Sequence, residues 1–164
     1  MSRSVPRRML RKIRALVLDV DGVLTDGGMY YGPTGEGLKR FNVKDGLGLR
    51  LVAASGIAIA LISGENSEIL KRRAEKLQIE HVFVGVEDKL GTLVEFLAPR
   101  GIALGEVAYV GDDLNDLPVL EAVGLPIAVA DAVARVRKAA AWITSRPGGD
   151  GAVREVCDGI LAAR

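Results

Sequence analysis

Short unbroken apolar runs alternate with segments of helical spacing along most of the chain. Ala15–Val20, Ile57–Ile62 and Val107–Val110 are continuous runs, and His81–Val84 and Pro126–Val129 are shorter ones. Continuous rather than alternating apolar character marks strands covered on both faces, as in a parallel sheet. Between them the spacing predicts helices over Leu47–Ala54, Glu68–Leu77, Lys89–Leu97, Leu117–Ala122 and Ala132–Ala140, and a last one over Ala152–Ala163. Asp88 is placed to cap the third, and Gly56 and Gly101 stand where helices stop. This βαβα order predicts a doubly wound α/β domain over residues 15–164. Ligands of such sheets bind beyond the carboxyl ends of the strands, so the residues that close each run are the candidates for chemistry.

One stretch interrupts the alternation. Gly27–Asn42 holds two extended runs, Met29–Tyr31 and Leu38–Asn42, around Gly-Pro-Thr-Gly-Glu-Gly. It reads as a β-hairpin flap inserted after the first strand.

Composition narrows the class. A chain of 164 residues can bury one core without staples. Aromatics are only 4%, so Val, Leu, Ile and Ala must build that core. The single cysteine, Cys157, suits a reducing cytoplasm and reads as a core residue, as does Trp142. No apolar run approaches the roughly 18–20 residues that span a bilayer. Residues 1–14 carry six basic side chains and no acid, so the rest of a chain of net charge +1 has five more acids than bases. The basic leader has no apolar signal region and reads as a solvated tail. An acidic body without a basic, aromatic stripe argues against nucleic acid as a partner.

Four run ends carry chemistry. The first gives Asp19-Val20-Asp21-Gly22-Val23-Leu24-Thr25-Asp26-Gly27. A carboxylate at the end of a buried strand is costly unless paired or metal-bound. Two carboxylates two residues apart can serve as nucleophile and proton donor, and Gly22 lets backbone amides approach a phosphate. The second end, Ser63-Gly64-Glu65, offers a hydroxyl and amides that can grip a phosphate, although Ser63 alone also fits an N-cap. Lys89 opens a helix where its charge opposes the helix dipole, which fits either a surface lysine or a cation that pairs with phosphate. The last end, Gly111-Asp112-Asp113-Leu114-Asn115-Asp116, is a cluster of hard oxygens suited to Mg²⁺. His81, the single histidine, reads as packed or hydrogen-bonded.

These stations, in this order, resemble the haloacid dehalogenase (HAD) superfamily, whose core is Rossmann-like. The strings Asp19–Gly27, Phe41–Gly46, Ala108–Leu114 and Gly148–Glu155 resemble its capless branch of 3-deoxy-D-manno-octulosonate (KDO) 8-phosphate and nonulosonate 9-phosphate phosphatases. The resemblance implies that Asp19 is the nucleophile and Asp21 the general acid and base. It implies Mg²⁺ held by Asp19, the Asp21 carbonyl and Asp112, and phosphate held by Ser63, Gly64 and Lys89. Asp113, Asp116 and Thr25 take supporting roles. It also implies a cytoplasmic homotetramer serving lipopolysaccharide or sialic acid synthesis, with residues 27–42 of one subunit capping a neighbour's site and no separate cap domain.

Substrate contacts are expected from Glu65, Lys44, Asp45 and Arg154. The octulosonate enzymes resembled here usually carry Arg where this chain has Glu65. The nonulosonate enzymes tend to carry Glu, with an Arg-Arg-Ala-Glu-Lys run like residues 72–76, so Glu65 leans towards a KDN or N-acylneuraminate 9-phosphate. Lys76 follows Glu65 by eleven residues, about 16 Å on a continuous helix, so both cannot reach one small ligand in one subunit. Arg72, Arg73 and Lys76 therefore act across an interface or support the helix. Two other readings compete: a receiver-type phospho-acceptor domain and a non-catalytic HAD-like regulatory domain. A receiver places its acidic pair on strand one and its acceptor on strand three, which is not the order here.

Overall fold

The computed structural model describes residues 5–164. Six strands form one parallel sheet: β1 (Ala15–Leu18), β4 (Ala58–Ile62), β5 (His81–Phe83), β6 (Val107–Gly111), β7 (Leu125–Ala128) and β8 (Trp142–Ile143). The sheet order is β5-β4-β1-β6-β7-β8. The order in which strands are added reverses between β1 and β6, which opens a crevice at their carboxyl ends.

The helices are α1 (Arg7–Leu10), α2 (Val43–Ala54), α3 (Glu68–Leu77), α4 (Lys89–Leu97), α5 (Leu117–Leu120), α6 (Ala134–Ala139) and α7 (Ala152–Ala162). Right-handed crossovers that step in opposite directions put their helices on opposite faces. Accordingly α2 packs with α3 and α7, while α5 packs with α4 and α6. Every residue of β1 and β6 is buried, because both faces are covered. That is the reason these runs are apolar without alternation.

Asp88 caps α4 by accepting from the Gly91 amide at 2.9 Å. Gly56 and Gly101 take left-handed φ of +88° and +58° just beyond their helices. Asn42 caps α2, which starts four residues before the predicted Leu47 because the cap precedes the first apolar position. The two-residue strand β8 was not expected, since Trp142 and Ile143 form too short a run to signal one.

The flap forms as an antiparallel pair, β2 (Tyr30–Gly32) and β3 (Gly35–Leu38), closed by Pro33 and Thr34. Its second strand lies earlier than the predicted Leu38–Asn42, because the tight turn brings Gly35 opposite Gly32. A bridge between Thr25 and Phe41 closes its base.

The described part of the basic leader is not a free tail. Leu10 and Ile13 are buried in the core. The Arg7 guanidinium donates to the Ala162 carbonyl and Arg11 Nε to the Ala163 carbonyl at the end of α7. Cations there satisfy unpaired carbonyls and complement the helix dipole. Arg3 lies outside the described residues. His81 meets the Arg100 guanidinium at 2.7 Å and the Phe96 ring at 5.1 Å between centroids.

Candidate active site

Asp19 follows β1 directly, and its amide donates to the Val110 carbonyl at 3.0 Å, which extends the ladder by one residue. The carboxylate is thereby fixed to the sheet rather than to a loop. Gly22 turns the chain with a φ of +85°, and a Cβ on it would lie 2.0 Å from Asp112 Oδ2. Only glycine fits, on both counts. Thr25 Oγ1 accepts from the amides of Gly22 and Gly27, each at 3.2 Å, and holds the loop in shape.

The Gly148-Gly149 pair lies against the same loop. A Cβ on Gly148 would stand 1.8 Å from the Gly22 carbonyl oxygen, and the Gly149 amide donates to the Val23 carbonyl at 3.0 Å. The glycine-rich carboxyl-terminal string thus backs the Asp19 loop through close backbone contact.

Lys89 leaves the first turn of α4 and buries its ammonium between two carboxylates, 2.7 Å from Asp19 and 2.8 Å from Asp116. Burial opposes its charge, but the two acids outweigh that and hold its pKa above the ordinary lysine value. Asp116 is fully buried and saturated. It also accepts from the Tyr109 hydroxyl at 2.6 Å and from the Asp112 and Asp113 amides. Tyr109 was read only as part of a strand. A tyrosine buried on a two-faced strand needs a partner for its hydroxyl, and Asp116 is that partner.

Asp19, Asp112 and Asp116 present oxygens within 4.8 Å of one another. Burial and the Asp116 charge, partly offset by Lys89, raise Asp19 to a pKa of about 6. Burial and the Asp19 charge raise Asp112 to about 8. Lys89 meets Asp19 and Asp116 but not Asp112, so one lysine faces three acids and negative charge is left over where Asp112 approaches Asp19. Hard oxygens in that condition fit a divalent cation such as Mg²⁺.

Above this cluster lies a cleft of ≈ 390 Å³ lined by Asp19, Asp21, Gly64, Glu65, Asp112, Asp113 and Asn115. Asn115 was not singled out as a site residue, although it stands in the acidic string. Ser63 is buried after β4, and its Oγ accepts from the Glu65 amide at 3.2 Å. It is not the N-cap of α3. Ser67 takes that part, accepting from the Leu70 amide at 3.3 Å. Asp21 is engaged by a residue that the sequence reading missed. Lys39, from the flap, places its Nζ 2.6 Å from Asp21 Oδ1 and 2.8 Å from Glu36 Oε1.

A haloacid dehalogenase-like hydrolase family pattern matches residues 63–156, more than half of the chain. The chain belongs to that family. It is 49% identical over 152 residues to the 3-deoxy-D-manno-octulosonate 8-phosphate phosphatase KdsC of Escherichia coli K12, covering 93% of this chain and 81% of the relative. A probable YrbI family phosphatase from Pseudomonas syringae superposes with a TM-score of 0.93 at 48% identity, over 96% of this chain and 89% of the other. A KDO 8-phosphate phosphatase from Moraxella catarrhalis, solved with magnesium, phosphate and KDO, does so with a TM-score of 0.93 at 42% identity, over 96% and 91%.

Not all the expected substrate residues of this HAD-family chain reach the cleft. Lys44 and Arg154 line a separate hollow of ≈ 540 Å³ with Asn42, Arg146 and Asp158. Asp45 is 1% exposed and accepts from the Arg154 amide at 2.8 Å, so it ties α2 to α7 instead of facing a ligand. Burial raises its pKa. The approach of α2 to α7 is close because Gly48 has no Cβ to meet Arg154 and Cys157. Glu65 precedes α3 in a turn, so it does not share a helix with Lys76. Arg73 supports the flap from within the subunit. It stacks over Phe41 at 5.6 Å and donates to the Asn42 carbonyl at 3.4 Å.

Proposed function

We propose that this chain is a Mg²⁺-dependent phosphatase of a 2-keto-3-deoxy sugar acid phosphate, acting through an aspartyl-phosphate. The observation that carries the reading is Asp19, fixed at the end of a buried strand, ion-paired to Lys89 and facing Asp112 across the cleft floor. A carboxylate oxygen of Asp19 attacks phosphorus, and the bond from phosphorus to the sugar oxygen breaks. Asp21 gives its proton to that oxygen. In the second step Asp21 takes a proton from water as the water oxygen attacks phosphorus, and Asp19 leaves as a carboxylate. Lys89, Ser63 and the Gly64 amide hold the phosphoryl oxygens, and Asp116 holds Lys89. Asp19, Asp112 and the Asp21 carbonyl would hold Mg²⁺, which would supply positive charge against the repulsion between nucleophile and phosphate. Positioning and charge neutralisation make up most of what phosphoryl transfer needs.

The substrate reading follows the relatives: an eight-carbon acid, KDO 8-phosphate. Glu65, which lines the cleft, favours a second reading, a nonulosonate 9-phosphate. Side-by-side turnover of KDO 8-phosphate, KDN 9-phosphate and N-acetylneuraminate 9-phosphate with saturating Mg²⁺ decides between them. At least a tenfold preference in kcat/KM is expected for the eight-carbon ester, from contacts of a few hydrogen bonds. Preference for a nine-carbon ester makes Glu65 the selecting residue, and release of phosphate from none of the three removes the sugar-acid reading.

The flap supports assembly. Met29, Tyr30, Tyr31 and Leu38 are exposed apolar side chains on it, and Val43, Leu47 and Leu51 are exposed on the adjoining α2. So much exposed apolar surface on two consecutive elements fits a cover formed by another copy of the chain. In this reading the chain is a homotetramer whose flap caps a neighbour's cleft. Light scattering should give four times the subunit mass. Tyr31→Asp with Leu38→Asp should lower the mass and kcat together. A monomer with full activity would sink the cap in trans.

A further inference from the structure

We propose that Lys39 is a positioning residue for Asp21, fixing the proton donor to the flap. The inference rests on the phosphatase reading above. The Lys39 side chain is only 1% exposed, although its backbone runs along the rim of the flap. Its ammonium lies between two carboxylates, Asp21 on the catalytic loop and Glu36 on β3. A lysine is not buried without opposing charge. Here two acids supply it, so the group has one stable place.

The backbone around this lysine is pinned as well. The pairing of β2 with β3 holds it on one side, and the Thr25–Phe41 bridge holds it two residues later. A second ion pair, Arg40 to Asp26 at 3.7 Å, is longer and exposed, so solvent screens it. The buried Lys39 contact is therefore the firm charged tie between flap and catalytic loop.

This geometry serves a proton donor. Asp21 lies on a turn, and its side chain keeps 28% of its surface exposed at the cleft. Unrestrained, such a carboxyl group samples several rotamers, and ordering it has an entropic cost at each turnover. General acid catalysis needs the donor within hydrogen-bond reach of the leaving oxygen. Lys39 engages Oδ1 alone, which leaves the other oxygen free to face the leaving group. Glu36 of β3 lies 2.8 Å from the same ammonium, so the lysine is tied by charge to the flap as well as to Asp21.

The test uses leaving groups that differ in their need for a proton. The alkoxide of KDO 8-phosphate needs one as it departs, whereas p-nitrophenolate leaves without help. Both kcat/KM values, which report the steps up to departure of the leaving group and not the shared hydrolysis of the aspartyl-phosphate, are measured on the same preparation of Lys39→Met with saturating Mg²⁺, and divided by those of the wild type. The expected result is that the ratio of kcat/KM for KDO 8-phosphate to that for p-nitrophenyl phosphate falls by about tenfold or more, a share of the 10²–10⁴-fold of general acid catalysis. KM for KDO 8-phosphate should move by less than about threefold. Partial unfolding lowers both rates equally and leaves the ratio alone. Lys39→Gln, which keeps a polar group in the buried position, is measured in parallel and should shift the ratio in the same direction. An unchanged ratio, with both rates falling equally or neither falling, overturns the role of Lys39 and leaves the phosphatase reading standing. A wild type that hydrolyses neither ester removes that reading, and this inference with it.

Discussion

Asp19→Asn is expected to lower phosphate release by about 10⁴-fold or more, the scale seen when a nucleophile is deleted from an otherwise intact site. The amide is nearly isosteric and cannot form an acyl-phosphate, so the loss belongs to chemistry rather than to binding. The fold should tolerate the change. Lys89 loses one of its two carboxylates but keeps Asp116 at 2.8 Å. Asp19 itself, with a pKa raised to about 6 by burial, is not at ease as an anion where it sits. These two effects oppose each other, and Tm should stay within about 5 °C of the wild type. The measurement is phosphate release from p-nitrophenyl phosphate and KDO 8-phosphate, with thermal unfolding on the same samples. Equal inactivity of wild type and variant would point instead to a non-catalytic HAD-like domain. Equal activity would move the nucleophile elsewhere.

The second large effect concerns Asp112, pH and Mg²⁺. With the site free of metal, Asp112 titrates near 8 and Asp19 near 6, both well above the ordinary aspartate value of 3.8. Between pH 4 and 8 the folded chain therefore binds more protons at these sites than the unfolded chain does. Its stability must fall as pH rises through that window. The loss on going from pH 5 to pH 8.5 should be on the order of 2 kcal/mol after allowing for solvent at Asp112, or about 5 °C in Tm. Mg²⁺ should reverse it. The cation binds the deprotonated pair and releases protons, so its stabilising effect should be small at pH 5 and largest at pH 8.5. Asp112→Asn removes the repulsion between Asp112 and Asp19, although that between Asp116 and Asp19 remains. It should raise the Tm of the metal-free protein at pH 8.5, weaken Mg²⁺ binding by calorimetry and lower turnover by about 10²-fold or more. A metal-free Tm that rises with pH over this range, or Mg²⁺ stabilisation that is strongest at pH 5, would falsify this account of the site.

The candidate site was legible because chain order and sheet position coincide in a doubly wound fold. Asp19, Ser63 and Asp112 each follow an apolar run, and the parallel sheet brings the carboxyl ends of all its strands to one edge. The stop at each run is visible without coordinates. Lys89 was legible by order alone, since a surface lysine in a helix first turn reads the same way. Its burial between Asp19 and Asp116 depends on two elements that the local string does not contain.

Other side chains lie away from the cleft of their own subunit for the same physical reason. Lys44 and Arg154 carry suitable charge for a sugar acid, yet within the subunit they open on another hollow. Asp45 has suitable chemistry but is spent on the Arg154 amide. Lys39 and Glu36 lie in a flap of weak pattern, where nothing in the local spacing marks a lysine that turns inward. The leader is basic and polar overall, but Leu10 and Ile13 are enough to seat its described part on the core.

By itself the sequence determined five of the six strands of the sheet, the order of its chemical groups and the identity of Asp19 as the acid at the first strand end. These depend on backbone periodicity and on glycines such as Gly22, which are local properties. The tertiary structure decided which charges meet. It gave Asp116 to Lys89 and Tyr109, left Asp19 facing Asp112, and joined Asp21 to Lys39 of the flap. Electrostatic pairing acts over a few ångströms of space and is indifferent to separation along the chain, so only the folded arrangement could assign it.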